Sequence, residues 1–356
     1  MESLGNLPDK FLTEILAQPD AMRRAGGAVR EREAALEAIG KRARRSSLVF
    51  TGMGASYDAC YAPVTLLAAR GRNATMVDAA ELLHFRRPIL DADTVLVMVS
   101  QSGESAEVVR MLEALDTDAT PFIVAVTNGT STTLARRADL AFDISVGEEA
   151  GPSTMTFAAT LVVLTAIGEV VAGGSAGAAV SETNERVTVA AAAAESLLRR
   201  RDDLISTSAS WLGGRRAVAV LGRGTARAAS ETAALLLKEA AAVPAEALES
   251  AQFRHGPLEL AGPDLAAAVI ATEEATAILD LGLAEELVRA GAAVLVVTHD
   301  EDAPAGTHRI SIPDVGRALS PALAAMPFQL LAWRLATERG RTPGELRVAS
   351  KVTTRE

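Results

Sequence analysis

A spacing constrains this chain more than any single motif. Val49-Phe50-Thr51-Gly52-Met53-Gly54 is echoed by Val220-Leu221-Gly222-Arg223-Gly224, with Gly52 and Gly222 170 positions apart. The run Val95 to Ser100 is answered 172 positions later by the run ending Val269-Ile270-Ala271-Thr272. Phe122 to Thr127 matches Val294 to Thr298 with the threonines 171 apart, and Leu140 to Ile144 answers Arg309 to Ile312 at about that offset. These are strand-like segments, most of them apolar runs closed by turn residues, and helix-like patterns alternate with them, as in βα units on a parallel sheet. One offset kept by four such segments predicts an α/β protein built as two copies of one open parallel sheet flanked by helices. The 356 residues are enough for two domains, each expected to bury its own core.

Gly173-Gly174-Ser175-Ala176-Gly177 interrupts the chain between the copies. The Ala-rich, charge-flanked stretch Glu182 to Arg201 after it reads as a connecting helix. The division is an N-terminal helical segment over 1–45, a first domain over 46–180, a connecting helix over 181–210, a second domain over 211–335 and a tail over 336–356. Within it, the helical pattern of the first segment runs from Lys10 to Ala38, and a helix-like run from Pro327 to Arg339 leads into the tail.

Composition removes several classes of function. Apolar residues are 49% of the chain, yet charge or glycine breaks every run well before the roughly 18 residues a membrane helix needs. No charged and then apolar leader opens the sequence, so secretion is not expected. A single cysteine, Cys60, excludes a disulfide framework or a thiolate cluster and fits the cytoplasm. With a net charge of -10 and no basic block, no nucleic-acid partner is expected.

In open parallel sheets, ligands bind beyond the carboxyl ends of strands, where loops feed helix N-termini. Ser100-Gln101-Ser102-Gly103-Glu104-Ser105 stands there, directly after the apolar run Asp93 to Val99 and before a helix expected to start near Glu104. Three hydroxyls, an amide and a helix dipole suit a phosphate or another dianion without a lysine. The same residues also suit an ordinary turn with a serine cap. The partner turn Thr272-Glu273-Glu274-Ala275 has no glycine and carries two acids, so the first copy alone is expected to hold an anion. Gly52-Met53-Gly54-Ala55-Ser56-Tyr57 lacks the third glycine of a dinucleotide fingerprint, and Ser56 is assigned to the anion site. Gly222-Arg223-Gly224 reads as a structural turn.

Four histidines occur, at 84, 255, 299 and 308, with no ligand-like clustering, so neither metal nor organic cofactor is expected. His299 follows a strand and His308 precedes one, while His84 lies among Glu81, Arg86 and Arg87. His255 stands apart in Gln252-Phe253-Arg254-His255-Gly256-Pro257, a rigid turn suited to acid–base work. Lys238-Glu239 closes an otherwise apolar helix, where a carboxylate at the edge of the apolar face has its pKa raised, as a proton shuttle requires. The same two residues also read as a solvated ion pair.

Taken together, Ser100-Gln101-Ser102-Gly103-Glu104, Gly54-Ala55-Ser56-Tyr57, Lys238-Glu239, His255-Gly256-Pro257 and Lys351-Val352-Thr353 resemble the SIS (sugar isomerase) family. The similarity is to the isomerase half of glucosamine-6-phosphate synthase and its stand-alone deaminase relatives. It extends from Glu14-Ile15-Leu16-Ala17-Gln18-Pro19 to the tail. The resemblance implies two tandem SIS domains in a homodimer that binds an anionic hexose. By position it implies Ser56, Ser100, Gln101, Ser102 and Ser105 on the phosphate and Ser153 on the sugar. Glu239 would carry the proton between C1 and C2, His255 would open the ring in the partner subunit's site, and Lys351 would close over the opened substrate.

The departures point away from amino transfer from glutamine. Residue 2 is glutamate where a glutaminase half would carry its nucleophilic cysteine, and about fifty residues precede the first strand turn. Leu236 and Met155 stand at lysine positions of the synthase, Gly151-Pro152-Ser153-Thr154-Met155 is shortened, and Gln252 replaces an acid. The expectation is a deaminating isomerase that converts glucosamine 6-phosphate to fructose 6-phosphate and ammonia. The alternatives are aldose–ketose isomerisation of another 6-phospho- or 6-sulfo-hexose, or ketoamine deglycation. Behind both stands a sugar-phosphate sensor without catalysis.

Overall fold

A computed structural model describes residues 9–115 and 120–355. Glu2 and the other residues of 1–8, together with Glu356, lie outside that description. Three helices open the fold, α1 (Lys10–Leu16), α2 (Gln18–Glu31) and α3 (Glu33–Ala43). The carboxylate of Asp9 caps α1 by accepting from the Leu12 amide at 3.1 Å. The first copy follows as β1 (Ser47–Thr51), α4 (Ala55–Ala59), α5 (Tyr61–Ala69), β2 (Thr75–Met76), α6 (Ala79–Glu81), β3 (Thr94–Val99), α7 (Ala106–Leu115), β4 (Phe122–Thr127), α8 (Thr133–Arg137) and β5 (Leu140–Asp143). Three long helices, α9 (Met155–Val171), α10 (Ala176–Arg199) and α11 (Arg201–Leu212), lead to the second copy. That copy runs β6 (Ala217–Gly222), α12 (Ala226–Ala241), β7 (Ala245–Glu249), α13 (Ser250–Phe253), β8 (Leu265–Ala271), α14 (Ala277–Arg289), β9 (Ala293–Thr298) and β10 (His308–Ser311), and α15 (Ser320–Glu338) closes it.

The two sheets have one topology. The first is ordered β2-β1-β3-β4-β5 and the second, reversed for comparison, β7-β6-β8-β9-β10, with every pairing parallel. The edge strands β2 and β7 carry no continuous apolar run, which is why the spacing argument passes over them.

Alternation along the strands fixes which face is inside. Val95, Val97 and Val99 of β3 turn to one large core, while Leu96 and Met98 turn to a smaller outer one under α7. In β8, Ala266, Ala268 and Ile270 join that same large core, and Ala267, Val269 and Ala271 face a separate outer cluster. The expectation of one core per domain is therefore corrected. The inner faces of both sheets, with α9, α12 and α15, bury into a single core, because α9 is apolar on nearly every side and needs cover all round.

Several element limits also differ from the reading of the sequence. The connecting helix starts at Ala176, where Ser175 accepts from the Ala178 amide, and it breaks at Arg200 into α10 and α11. The last helix starts at Ser320, not Pro327. Pro321 sits in its first turn, where no amide is needed, and Pro327 is carried inside a helix buried along most of its length. Helix α7 begins at Ala106, after Glu104, and His308 begins β10 instead of preceding it.

Candidate active site

Four polypeptide segments converge beyond the carboxyl ends of β1 and β3. The turn after β1 approaches so closely that a Cβ on Gly52 would lie 2.8 Å from the Val99 carbonyl, so only glycine fits. Gly54, at φ +53° and ψ -135°, then turns the chain into α4 and brings Ser56 forward. The turn after β3 is held from beneath. Gly103 adopts φ +61°, and a side chain there would strike Thr132 at 2.5 Å. The Ser100 hydroxyl accepts from the Gly103 amide at 3.1 Å and lies 3.3 Å from the Ser105 hydroxyl, while Ser102 accepts from the Glu104 amide at 3.2 Å. Ser56, Ser100, Gln101, Ser102 and Ser105 therefore share one wall of a cleft of about 220 Å³ at the N-terminus of α7.

The opposite wall comes from the second copy. Helix α12 packs against α4, and its Leu235 methyl would meet a Cβ on Gly54 at 3.5 Å. One turn further on, Glu239 enters the cleft. Burial raises the proton affinity of its carboxyl above the ordinary value, against the opposing charges of Lys351 and Lys238. The sequence anticipated that direction for that reason.

Ser153 and the tail complete the lining. Leu346, Ala349, Ser350, Lys351 and Thr353 lie over the cleft, and the Thr353 carbonyl accepts from the Ala106 amide at 2.9 Å, capping α7. Lys351 donates to Glu149 at 3.1 Å and to the Gly151 carbonyl at 2.5 Å. The Glu149 carboxylate is fully buried at the N-terminus of α9, where it also accepts from the amides and hydroxyls of Thr154 and Thr156 at 2.6–3.2 Å. Behind it, Glu14 of α1 receives the amides of Ala150 and Gly151, and burial raises its pKa. Ser153 hydrogen-bonds Thr156 through their hydroxyls.

Eight of the nine residues singled out in the sequence thus line one cleft within one chain. His255 does not. It is exposed after α13, followed by Gly256 at φ +124°, and lies outside that cleft. The sequence reading missed Glu149 and Asp58. Glu149 had a legible signal, an acid five residues before Thr154 at the start of a long apolar helix, where a dipole favours a carboxylate. Asp58 was marked only by being an acid among small and apolar neighbours in Ala55–Ala59.

The corresponding place in the second copy is occupied by the protein itself. Glu273, 4% exposed, accepts from the Thr225 amide at 2.8 Å and from the Thr225 hydroxyl, and pairs with Arg317 at 2.6 Å. Arg223 of the glycine turn pairs with the buried Asp280 at 3.0 Å and with Glu249 at 3.4 Å.

Comparison with known proteins agrees with this two-copy geometry. The family model of the SIS domain matches residues 43–169 and again 213–339. A glutamine–fructose-6-phosphate aminotransferase [isomerizing] of Aeropyrum pernix is 31% identical over 99% of this chain, which spans 58% of that protein's length. Two solved structures share the fold. A tagatose-6-phosphate ketose/aldose isomerase from Escherichia coli has a TM-score of 0.79 at 20% identity, covering 95% of this chain and 97% of its own. A glucosamine-6-phosphate deaminase from Thermotoga maritima has a TM-score of 0.73 at 21% identity, covering 96% and 99% respectively.

Proposed function

This chain belongs to the SIS domain family, and from that premise we propose that it is a phosphosugar isomerase whose substrate is glucosamine 6-phosphate. The observation that carries the reading is the meeting of two parts in one cleft. A turn rich in neutral donors at a helix N-terminus faces a half-buried carboxylate delivered by the other copy. The turn suits the phosphate, because hydroxyls and dipoles bind a dianion without neutralising it. Ser153 would contact the sugar.

The chemistry proposed for Glu239 is proton transfer in the opened sugar. It removes the C2 proton of the aldehyde form and delivers one to C1, leaving an imine at C2. Water adds to the imine, and fructose 6-phosphate and ammonia leave. A raised pKa supports this role, since the group must both take and return a proton near neutrality. Lys351 would leave its seat on Glu149 to cover the opened substrate. Leu236 is 2% exposed in the core and Met155 5%, so neither position offers an amine for transfer. His255 is proposed to serve the cleft of a second copy in a homodimer, a role supported by its exposure and by the apolar Leu260 beside it, itself 62% exposed. A cytoplasmic site of action belongs to the same proposal. It is supported by the free, buried Cys60, while no described helix is long and apolar enough to cross a membrane.

The test is NMR of glucosamine 6-phosphate with the protein in D2O, alongside a Glu239→Gln variant. Deuterium at C1, release of ammonia and their loss by roughly 10²–10⁴-fold in the variant are expected. Folded protein that leaves the amino sugar untouched rejects deamination. A panel of other anionic hexoses then decides between plain isomerisation, deglycation of ketoamines and a sensor that binds without turnover.

A further inference from the structure

The contact between the two copies at the cleft contains a buried acid that the proposed mechanism does not use. Asp58 lies on α4, two residues beyond Ser56, and is 8% exposed. Its Oδ2 accepts from the hydroxyl of Thr232 on α12 at 3.3 Å, and Thr232 is 1% exposed. Thr232, Leu235 and Glu239 follow at helical i, i+3, i+7 spacing, so they share one stripe of α12. Along that stripe, Thr232 meets Asp58, Leu235 meets Gly54, and Glu239 enters the cleft. The polar contact of this stripe with α4 is therefore the hydrogen bond of Asp58.

We infer that Asp58 is a positioning residue, which fastens the helix carrying Ser56 to the helix carrying Glu239 and whose charge state bears on the shuttle. The inference rests on the reading of Glu239 as that shuttle. The groups facing Asp58 are predominantly acidic. On α12 they are Glu231, Lys238 and Glu239, and on its own side Cys60 and Tyr61. Glu231 is partly balanced by Arg227, which lies over the Tyr61 ring at 4.3 Å. Helix α9, also packed on α4, bears no charged side chain from Met155 to Gly168. Burial, and then Glu231, push the Asp58 carboxyl up to about 8, so it is neutral at pH 7 and ionises in mild alkali. Once ionised, it sets a second negative charge against α12 and raises the proton affinity of Glu239, while the hydrogen bond from Thr232, which favours the charged carboxylate, keeps the two helices tied.

The test joins a substrate-free measurement to kinetics. In ¹³C-Glu-labelled protein without sugar, the Glu239 carboxyl carbon should show its own titration and a second inflection near pH 8. Asp58→Asn should erase that second inflection and any change of kcat that accompanies it near pH 8. Thr232→Val, which breaks the tie without adding charge, should lower kcat by about tenfold with KM changed less than about twofold. A single inflection in the wild type, or a Thr232→Val protein with wild-type kcat, overturns the inference. If no sugar is turned over, the reading of the site fails, and the NMR titration alone then decides the link between Asp58 and Glu239.

Discussion

The same strand–turn–helix unit occurs twice in this molecule, and the two versions treat a negative charge in opposite ways. In the first copy, Ser100, Ser102 and Ser105 surround a glycine at φ +61°, and the donors face a cleft. In the second, Glu273 folds onto the Thr225 amide 170 residues after Ala55, and Arg317 closes over it. A helix N-terminus favours an anion in either case. In the proposed reading the first copy takes its anion from solution, whereas the second carries one in its own sequence. A permanent carboxylate also anchors the start of α12, the helix whose far end presents Glu239. The turn of the second copy thus serves as the mount of the helix that delivers Glu239 to the cleft of the first.

Moving the charge is the strongest way to break this contrast. Ser102→Glu puts into the first turn the carboxylate that the second already has. Two like charges about 4 Å apart in a partly screened site repel by about 4 kcal/mol. Affinity for glucosamine 6-phosphate, measured by calorimetry, should fall by on the order of a hundredfold or more. Titration of the wild type should give one sugar phosphate per chain. Two equivalents, or a Ser102→Glu chain that still binds, would mean that the second turn holds anions as well.

A smaller effect is expected from Glu273→Gln. The amide side chain keeps the shape but drops the charge seen by Thr225 and Arg317. Losing charge-assisted bonds at a buried acceptor costs about 1–3 kcal/mol, lessened here because Arg317 is half in solvent. The denaturation midpoint should drop while sugar-phosphate affinity stays within about twofold of wild type. A loss of affinity larger than the loss of stability would show that the mount of α12 is felt at the cleft.

How far the sequence could be read follows the same division between local and long-range signals. The repeat was legible because β1, β3 and β4 and their counterparts β6, β8 and β9 are apolar runs closed by turns, and burial on both faces dictates such runs, while the edge strands β5 and β10 added only their offset. The donors of Ser100 to Ser105 were legible because they are contiguous. Glu239 was legible through the apolar helix around it, and its raised proton affinity has that cause. The merging of the two cores was not legible, since strand alternation fixes an inner face without telling what covers it. Asp58 and Thr232 lie 174 residues apart, and nothing near either in sequence marks the other as its partner. Glu149 lay between. Its caps on Thr154 and Thr156 are local, but its pairing with Lys351 spans 202 residues.

The finest test of the comparison uses two glycines in equivalent turns. Gly54 adopts φ +53° and Gly224 φ +54°, so alanine is strained at both, by about 1–3 kcal/mol. Their surroundings differ. A Cβ at Gly54 would touch Leu235 at 3.5 Å, an ordinary contact, whereas one at Gly224 would meet the Glu273 carboxylate at 2.9 Å. That carboxylate is held by Thr225 and Arg317 and has little room to yield. Gly224→Ala should therefore destabilise the protein more than Gly54→Ala, by about 1 kcal/mol beyond the shared strain. The order reverses for catalysis, because Gly54 itself lines the cleft and its turn brings Ser56 forward, so backbone strain there shifts the site directly. Gly54→Ala should lower kcat several-fold, and Gly224→Ala should leave it within about twofold. Denaturant melts and steady-state rates on the two variants separate these effects. Equal loss of stability would mean that Glu273 moves aside, and its carboxylate would then be a loose filler of the second turn instead of the fixed charge that closes it.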